Sequence, residues 1–421
     1  MPEKFTRVLS LIAYVSLAVL LLTASVPLEG NQIEQARAYT RALEFDYTSW
    51  SLDAALLKLG TGTAGLPHYL DRSARKQIVM DYLFVTERLI QAEAQLDQIY
   101  ADPAISDKET SSAHLRAEIQ GLQNRQAGLA PLAEAVFQAQ VSALLAEQKL
   151  TLGGQPIPPV LYHSSPVPMG LIISPRDHIE QLSNISLQPN LPVDQQVSLE
   201  EQVDKNLDVS SLVVPIGGVG VYPTMVMRTT DTSWLVNVIA HEWTHNFLSL
   251  RPLGILYSAD PQVRTMNETT ASIVGNEIGD LVMQRYYPDL ALGSISGHQL
   301  VSVRPAVSLP AGDPPFDFRA EMHQTRVRAD ELLAEGKIGE AETYMESRRQ
   351  VFWDNGYPIR KLNQAYFAFY GAYADEPGGA AGEDPVGPAV RALREQSGSL
   401  SDFLNTISWM VSFDQLQKVI K

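Results

Sequence analysis

The chain has no cysteine. That absence removes disulfides, thiolate zinc sites, iron–sulfur clusters and thiol nucleophiles together, so any metal must be held by His, Asp or Glu. Positive charge is scarce too, with 32 Lys and Arg against 48 Asp and Glu and a net charge of -16 at pH 7. A surface of that sign repels phosphate backbones, and no basic stripe interleaved with aromatics overrides it, which excludes nucleic acid as a partner. Histidine is rare, eight in 421 residues, and no internal repeat is visible. What remains, 45% hydrophobic and 19% charged, is the composition of a globular protein long enough for two or three structural units.

One stretch lacks charge altogether. After Lys4 and Arg7, residues 8–26 (VLSLIAYVSLAVLLLTASV) run for about 19 residues without a charged side chain, enough for a helix to cross a hydrocarbon core of roughly 30 Å. The run is longer than a typical signal-peptide core, which favours a retained anchor, while Thr23, Ala24 and Ser25 suit cleavage and a secreted product. Basic residues on the short N-terminal side predict that the bulk of the chain is extracytoplasmic, although Arg37 and Arg41 weaken that bias. The membrane is thus an expected partner through this segment.

The texture of the sequence predicts an α+β protein, predominantly helical, in four parts: an anchor at 1–28, a helical hairpin at 29–151, a small-sheet unit at 152–290 and a helical C-terminal region at 291–421. Tyr82, Val85, Leu89, Ala92, Leu96 and Ile99 form one heptad seam, and Leu115, Ile119, Leu122, Gln126 and Leu129 a second. ADPAISDK supplies the turn between them, and Pro131 is expected to break or kink the second helix. The hairpin reads as a stalk or buttress. From residue 152, PVLYHSS, MGLIIS and SLVVPIGGVGVYPTMVMR read as strands, with a helix around SLEEQVDKNL. Beyond residue 290, RPAVSLPAGDPPF and DEPGGAAGEDPVGP are expected loops between helices.

The sharpest local signal is IAHEWTHNFLSL, residues 239–250. In a helix, residues four apart lie one above the other, so His241 and His245 can present two imidazoles to one metal ion. Zinc suits that pair. Glu242, rotated by about 100° around the helix, cannot be an equivalent ligand but can take a proton from a water on the metal. The flanks WLVNVIA and NFLSL are apolar, so a bare carboxylate at 242 would cost several kcal/mol unless something compensates it. Asp231 or Thr232 offers the N-cap, and Pro252 with Gly254 the stop.

A catalytic zinc usually has three protein ligands. Asp260 and Pro261 read as the cap and first position of a following helix that carries both Glu268 and Glu277. Nine residues at about 100° each put those two carboxylates on opposite sides. Gly275 and Gly279, flanked by Ala271 and Ser272, lie on the Glu268 side, where small residues let a neighbouring helix approach. The same stripe would serve ordinary tight packing.

HEWTH followed by NETTA resembles the gluzincin group of zinc metallopeptidases, across residues 231–280. The resemblance implies a zincin-like catalytic domain at 152–290, one Zn2+ held by His241, His245 and Glu268, Glu242 as general base, and a peptide or protein as substrate. Some gluzincins have an aspartate four residues after the ligand Glu to orient a histidine, where this chain has Ser272, so the partner that fixes the imidazole is unidentified from sequence. The group commonly uses a downstream Tyr or His as oxyanion donor; Tyr366 and Tyr370 are the foremost matches, with Tyr373 and His323 also available. Zinc aminopeptidases of the group have an upstream Glu for the substrate amine, and GGVGVYPTMVM has none, which tilts the expectation to endopeptidase action.

Arg360 and Lys361 are candidates for a substrate carboxylate. His68, His114, His163, His178 and His298 lack a partner at ligand spacing and read as surface or structural residues. Two alternatives belong to other classes: a membrane-tethered binding or scaffold protein with a structural zinc, and a zinc hydrolase acting on a non-peptide amide.

Overall fold

A computed structural model describes residues 32–61, 63–101, 107–291, 316–372, 380, 382 and 384–420. The apolar run 8–26, residues 102–106 of the expected turn at 101–108, His298, most of the 304–316 loop and Tyr373 lie outside the described residues. The elements, in order, are α1 (Gln32–Thr40), α2 (Tyr47–Thr61), α3 (Arg72–Ala101), α4 (Lys108–Glu147), β1 (Tyr162–Ser164), β2 (Met169–Pro175), β3 (Ser183–Leu187), α5 (Val193–Leu207), β4 (Val209–Pro215), β5 (Gly218–Val219) and β6 (Thr224–Val226). There follow α6 (Thr232–Leu248), α7 (Pro252–Ile255), α8 (Pro261–Tyr286), α9 (Pro288–Ala291), α10 (Phe318–Ala334), α11 (Ile338–Asp354), α12 (Gln364–Tyr370), α13 (Val386–Gln396), α14 (Leu400–Ile407) and α15 (Phe413–Val419). The described chain is therefore mostly helical with two small sheets.

The seams pair α3 with α4 as expected. Leu89, Ala92 and Ile119 are buried against Leu96, Leu115 and Leu122, and Gln126 donates to the Thr86 hydroxyl at 2.7 Å. Pro131 does not break the helix: α4 continues through it to Glu147. An internal proline costs a helix about 3 kcal/mol, but the turns after it bury Ala133, Val136, Phe137, Val141, Leu144 and Leu145. At roughly 1.5–3 kcal/mol for each large apolar side chain fully buried, that contact outweighs the local defect. Among the described residues one helix, Glu109–Glu147, is long and apolar enough to cross a membrane, and 56% of its most apolar window is buried inside the protein.

The run SLVVPIGGVGVYPTMVM divides into three strands. β4 joins an antiparallel sheet in the order β3-β2-β4, whereas β5 and β6 belong to a second sheet, β1-β6-β5, with β5 at its edge. The separation falls at Ile216 and Gly217, beyond the buried β4 segment. β3 was not anticipated; SNISL has too few apolar residues to stand out, and it is held by pairing along β2.

The largest core is shared by three of the four expected parts. It joins Val79 and Tyr82 of α3, Phe137 and Leu144 of α4, Trp243 and Phe247 of α6, Val274 and Ile278 of α8, and Leu393 and Phe403 of α13 and α14. α4 thus buttresses both helices that carry the HEWTH and NETTA motifs.

Candidate metal centre

Local chemistry fixes the two central helices before they pack. The Asp231 carboxylate caps α6 by accepting from the Trp234 amide at 2.9 Å. Asp260 caps α8 by accepting from the Gln262 and Val263 amides, with Pro261 at the first helical position. Gly275 and Gly279 then permit close approach: a Cβ on Gly275 would lie 3.0 Å from both the Asn237 carbonyl oxygen and the His241 Cβ, and one on Gly279 3.1 Å from the Asn237 Cα. Glu277, on the opposite side, is gripped by Arg394 through both oxygens at 2.6 and 2.8 Å. Of the two glutamates, Glu268 is the one placed beside the histidines.

His241, His245 and Glu268 converge as a group that could hold a metal ion. The two Nε2 atoms are 3.0 Å apart, and Glu268 Oε2 lies 3.6 Å from that of His241 and 3.4 Å from that of His245. A tetrahedral ion with bonds of about 2.0–2.1 Å spaces its ligand atoms about 3.3–3.4 Å apart, so the triangle fits one such ion. The donor set of two imidazoles and a carboxylate is one that zinc accepts. Glu268 Oε2 is buried with no hydrogen-bond partner, an orphaned acceptor that a cation in the triangle would satisfy.

The supporting contacts are specific. Asn267 Oδ1 is 2.8 Å from His245 Nδ1, so the ring nitrogen donates to it and the Nε2 lone pair is left facing the triangle. Asn267 in turn donates to the Leu253 carbonyl at 3.2 Å. This is the partner that the sequence left unidentified, one residue before Glu268 and not four after it; Ser272 Oγ is buried with no hydrogen-bond partner. Tyr257, in the segment joining α7 to α8, donates its hydroxyl to Glu268 Oε1 and sets its ring edge-on to His245. No sequence pattern singled it out.

Electrostatics tie the group together. Burial disfavours charge on His245, yet the Glu268 carboxylate outweighs it and pushes the imidazole up to about 9. Burial likewise opposes the Glu268 carboxylate, but His245 and His241 hold it well below the usual range. Glu242 is raised, chiefly by burial and in spite of the two histidines. Burial keeps Tyr257 protonated, well above the ordinary phenol range.

β5 roofs the group. A Cβ on Gly218 would sit 2.8 Å from Glu242 Oε1, and one on Gly220 would sit 3.1 Å from the His245 Cβ and 3.5 Å from Glu242 Oε2. Asn246, one turn after Glu242, fastens the β5–β6 connection by donating to the Val221 carbonyl and the Thr224 hydroxyl at 3.3 and 3.0 Å.

The triangle opens on a cleft of about 1290 Å³. Glu242, Tyr257, Arg264, Tyr366 and Tyr370 line it, as does Tyr47 from α2, so the expected stalk contributes to the cleft wall. The Asn363 side chain caps α12 by accepting from the Tyr366 amide at 3.0 Å, and the Tyr366 and Tyr370 rings are 4.5 Å apart. His323 is not among the lining residues. Arg360 and Lys361 line the cleft but are engaged elsewhere: Arg360 holds Glu200 at 2.5 and 2.9 Å, and Lys361 holds Asp204 at 2.8 Å. Those pairs fasten α5 to the segment before α12. His163 bonds the buried Glu134 and His178 bonds Asp177 and Glu180, the structural and surface roles expected of them.

No family model, curated protein or solved structure matches this chain.

Proposed function

We propose that the chain is a zinc-dependent peptide hydrolase of gluzincin type, with His241, His245 and Glu268 as ligands and Glu242 as general base. The triangle of ligand atoms with its orphaned Glu268 oxygen carries this reading. A structural zinc site is closed by four protein ligands, and among the described residues this group has three, which favours the hydrolytic reading over a scaffold.

Zinc held there supplies Lewis acidity to a carbonyl oxygen and to water. Glu242 accepts a proton from the attacking water and returns it to the leaving nitrogen as the C–N bond breaks; its raised pKa suits both transfers. The edge strand β5 offers backbone groups to an extended peptide. A cleft of about 1290 Å³ exceeds the ~300–1,000 Å³ of ordinary small-ligand pockets, which favours a peptide over a small amide. Tyr366 and Tyr370 are the donors to the developing oxyanion: burial keeps both protonated, pushing Tyr370 up to about 12 and Tyr366 higher. The apolar segment 8–26 supports an exported chain, anchored in the membrane or secreted after cleavage, and the lack of an acidic residue in GGVGVYPTMVM favours endopeptidase action.

The test is metal analysis with a peptide-library digest. Wild type is expected to bind one zinc and cleave peptides, and Glu242→Gln to keep the zinc and lose cleavage. Undiminished cleavage by that variant rejects the assigned base.

A further inference from the structure

Arg264 stands one turn before Glu268 on α8, about 6 Å along the helix axis, and lines the same cleft. Its Nη2 donates to the Ala368 carbonyl of α12 at 2.6 Å. Its Nε is buried with no hydrogen-bond partner, and among the described residues no carboxylate pairs with it. The carboxylates nearest in sequence or across the cleft have other roles: Asp260 caps the α8 amides, Glu268 accepts from Tyr257, Glu180 pairs with His178, and Glu242, which lines the same cleft, is the proton acceptor in the reading above. Arg360 and Lys361, by contrast, each have a carboxylate of the chain itself. A partly buried guanidinium left with unused donors is costly, and its planar fork matches a carboxylate in two-point contact.

We infer that Arg264 is the receptor for a carboxylate of the substrate, within about three residues of the cleaved bond at ~3.3–3.6 Å per extended residue. The inference rests on the peptide-hydrolase reading above. That carboxylate has two sources: the free C-terminus of a peptide cut near its end, or an acidic side chain within a longer one.

Calorimetry on the metal-free full chain separates them without relying on turnover. One arm compares an acetylated alanine tripeptide acid with its C-terminal amide; the other compares amidated peptides bearing Glu or Gln. In one arm the carboxylate form is expected to bind roughly tenfold or more tightly, the scale of a charge-assisted hydrogen bond. Arg264→Gln is expected to abolish the preference and Arg264→Lys to restore part of it. Preference in the first arm assigns the free terminus, and preference in the second assigns the acidic side chain. Equal binding in both arms overturns the inference, whether or not Arg264→Gln folds, because wild type alone decides it. A preference that survives intact in a folded Arg264→Gln also overturns it. If the preference is present but the zinc-loaded chain cleaves no peptide, the hydrolase reading fails while the carboxylate receptor stands. If peptides are cleaved without preference, the reverse holds.

Discussion

The Tyr257 hydroxyl donates to Glu268 Oε1 and so leaves Oε2 as the oxygen that faces both imidazoles, 3.6 Å from His241 and 3.4 Å from His245. One contact from outside the three residues therefore decides which carboxylate oxygen is turned to the histidines, where a cation would meet it. Asn267 does the same for His245 from the other side.

Tyr257→Phe keeps the ring against His245 and removes only the hydroxyl. The carboxylate then gains freedom to rotate, and metal affinity is expected to fall roughly 10- to 100-fold, the usual effect of losing an outer hydrogen bond to a ligand. Competition with a chelator of known affinity measures it. Unchanged affinity would mean that helix packing alone holds Glu268 in place.

Gly218→Ala tests the roof. The new Cβ would meet Glu242 Oε1 at 2.8 Å and the Val238 Cγ1 at 3.0 Å, so the carboxylate must swing aside while the ligand triangle is untouched. Zinc content is expected to stay at wild-type level while peptide cleavage falls at least about tenfold, the scale of a misplaced proton acceptor. Loss of zinc in parallel with cleavage would show instead that the strand supports the ligands.

Much of this site was legible because helical periodicity is a local rule. His241, Glu242 and His245 follow from spacing within one helix, and Glu268 from the glycine stripe that marks the facing side of the next. The Asp231 and Asp260 caps were legible for the same reason. Tyr257 and Arg264 were not, because their roles depend on where a connecting segment and α12 come to rest. Asn267 stands at a different offset from the position four residues after Glu268 that the resemblance implies, because the two helices cross so that the residue before Glu268 meets His245. The continuity of α4 through Pro131 was illegible because part of the core that outweighs the proline comes from α6 and α8, more than a hundred residues away in sequence. Arg360 and Lys361 looked free for the same reason, since their carboxylates lie on α5.

Gly275→Val tests whether close helix approach builds the triangle. Even the first added carbon would lie 2.9 Å from Asn237 Oδ1 and 3.0 Å from the His241 Cβ. Both helices must then separate, with an expected stability loss of roughly 1–3 kcal/mol from overpacking and a loss of metal binding that exceeds that of Tyr257→Phe. Thermal unfolding and metal titration, run on the same preparations, check the pair of effects. Retained affinity at reduced stability would show that Glu268 follows His241 as the helices move.

Glu134 sets a pH dependence far from the metal group. Its carboxylate is fully buried on α4, accepts from the Ser164 amide at 2.9 Å, lies 3.1 Å from His163 Nδ1 and pairs with Lys58. It fastens β1 and α2 to the buttress helix. Burial by itself would raise this carboxyl, but His163 and Lys58 outweigh it and hold it below the ordinary range. A folded pKa below the unfolded one means that the stabilisation is fully present above about 4.5 and is lost as pH falls through the lower folded value. Glu134→Gln leaves Lys58 buried without its counter-charge, so at pH 7 it is expected to cost roughly 3 kcal/mol. As the wild-type carboxylate takes up its proton, the two proteins should converge. Urea midpoints at pH 7, 5 and 3 measure the gap: closing toward pH 3 is the expected result, and a gap constant across all three would assign the cost to packing and not to charge.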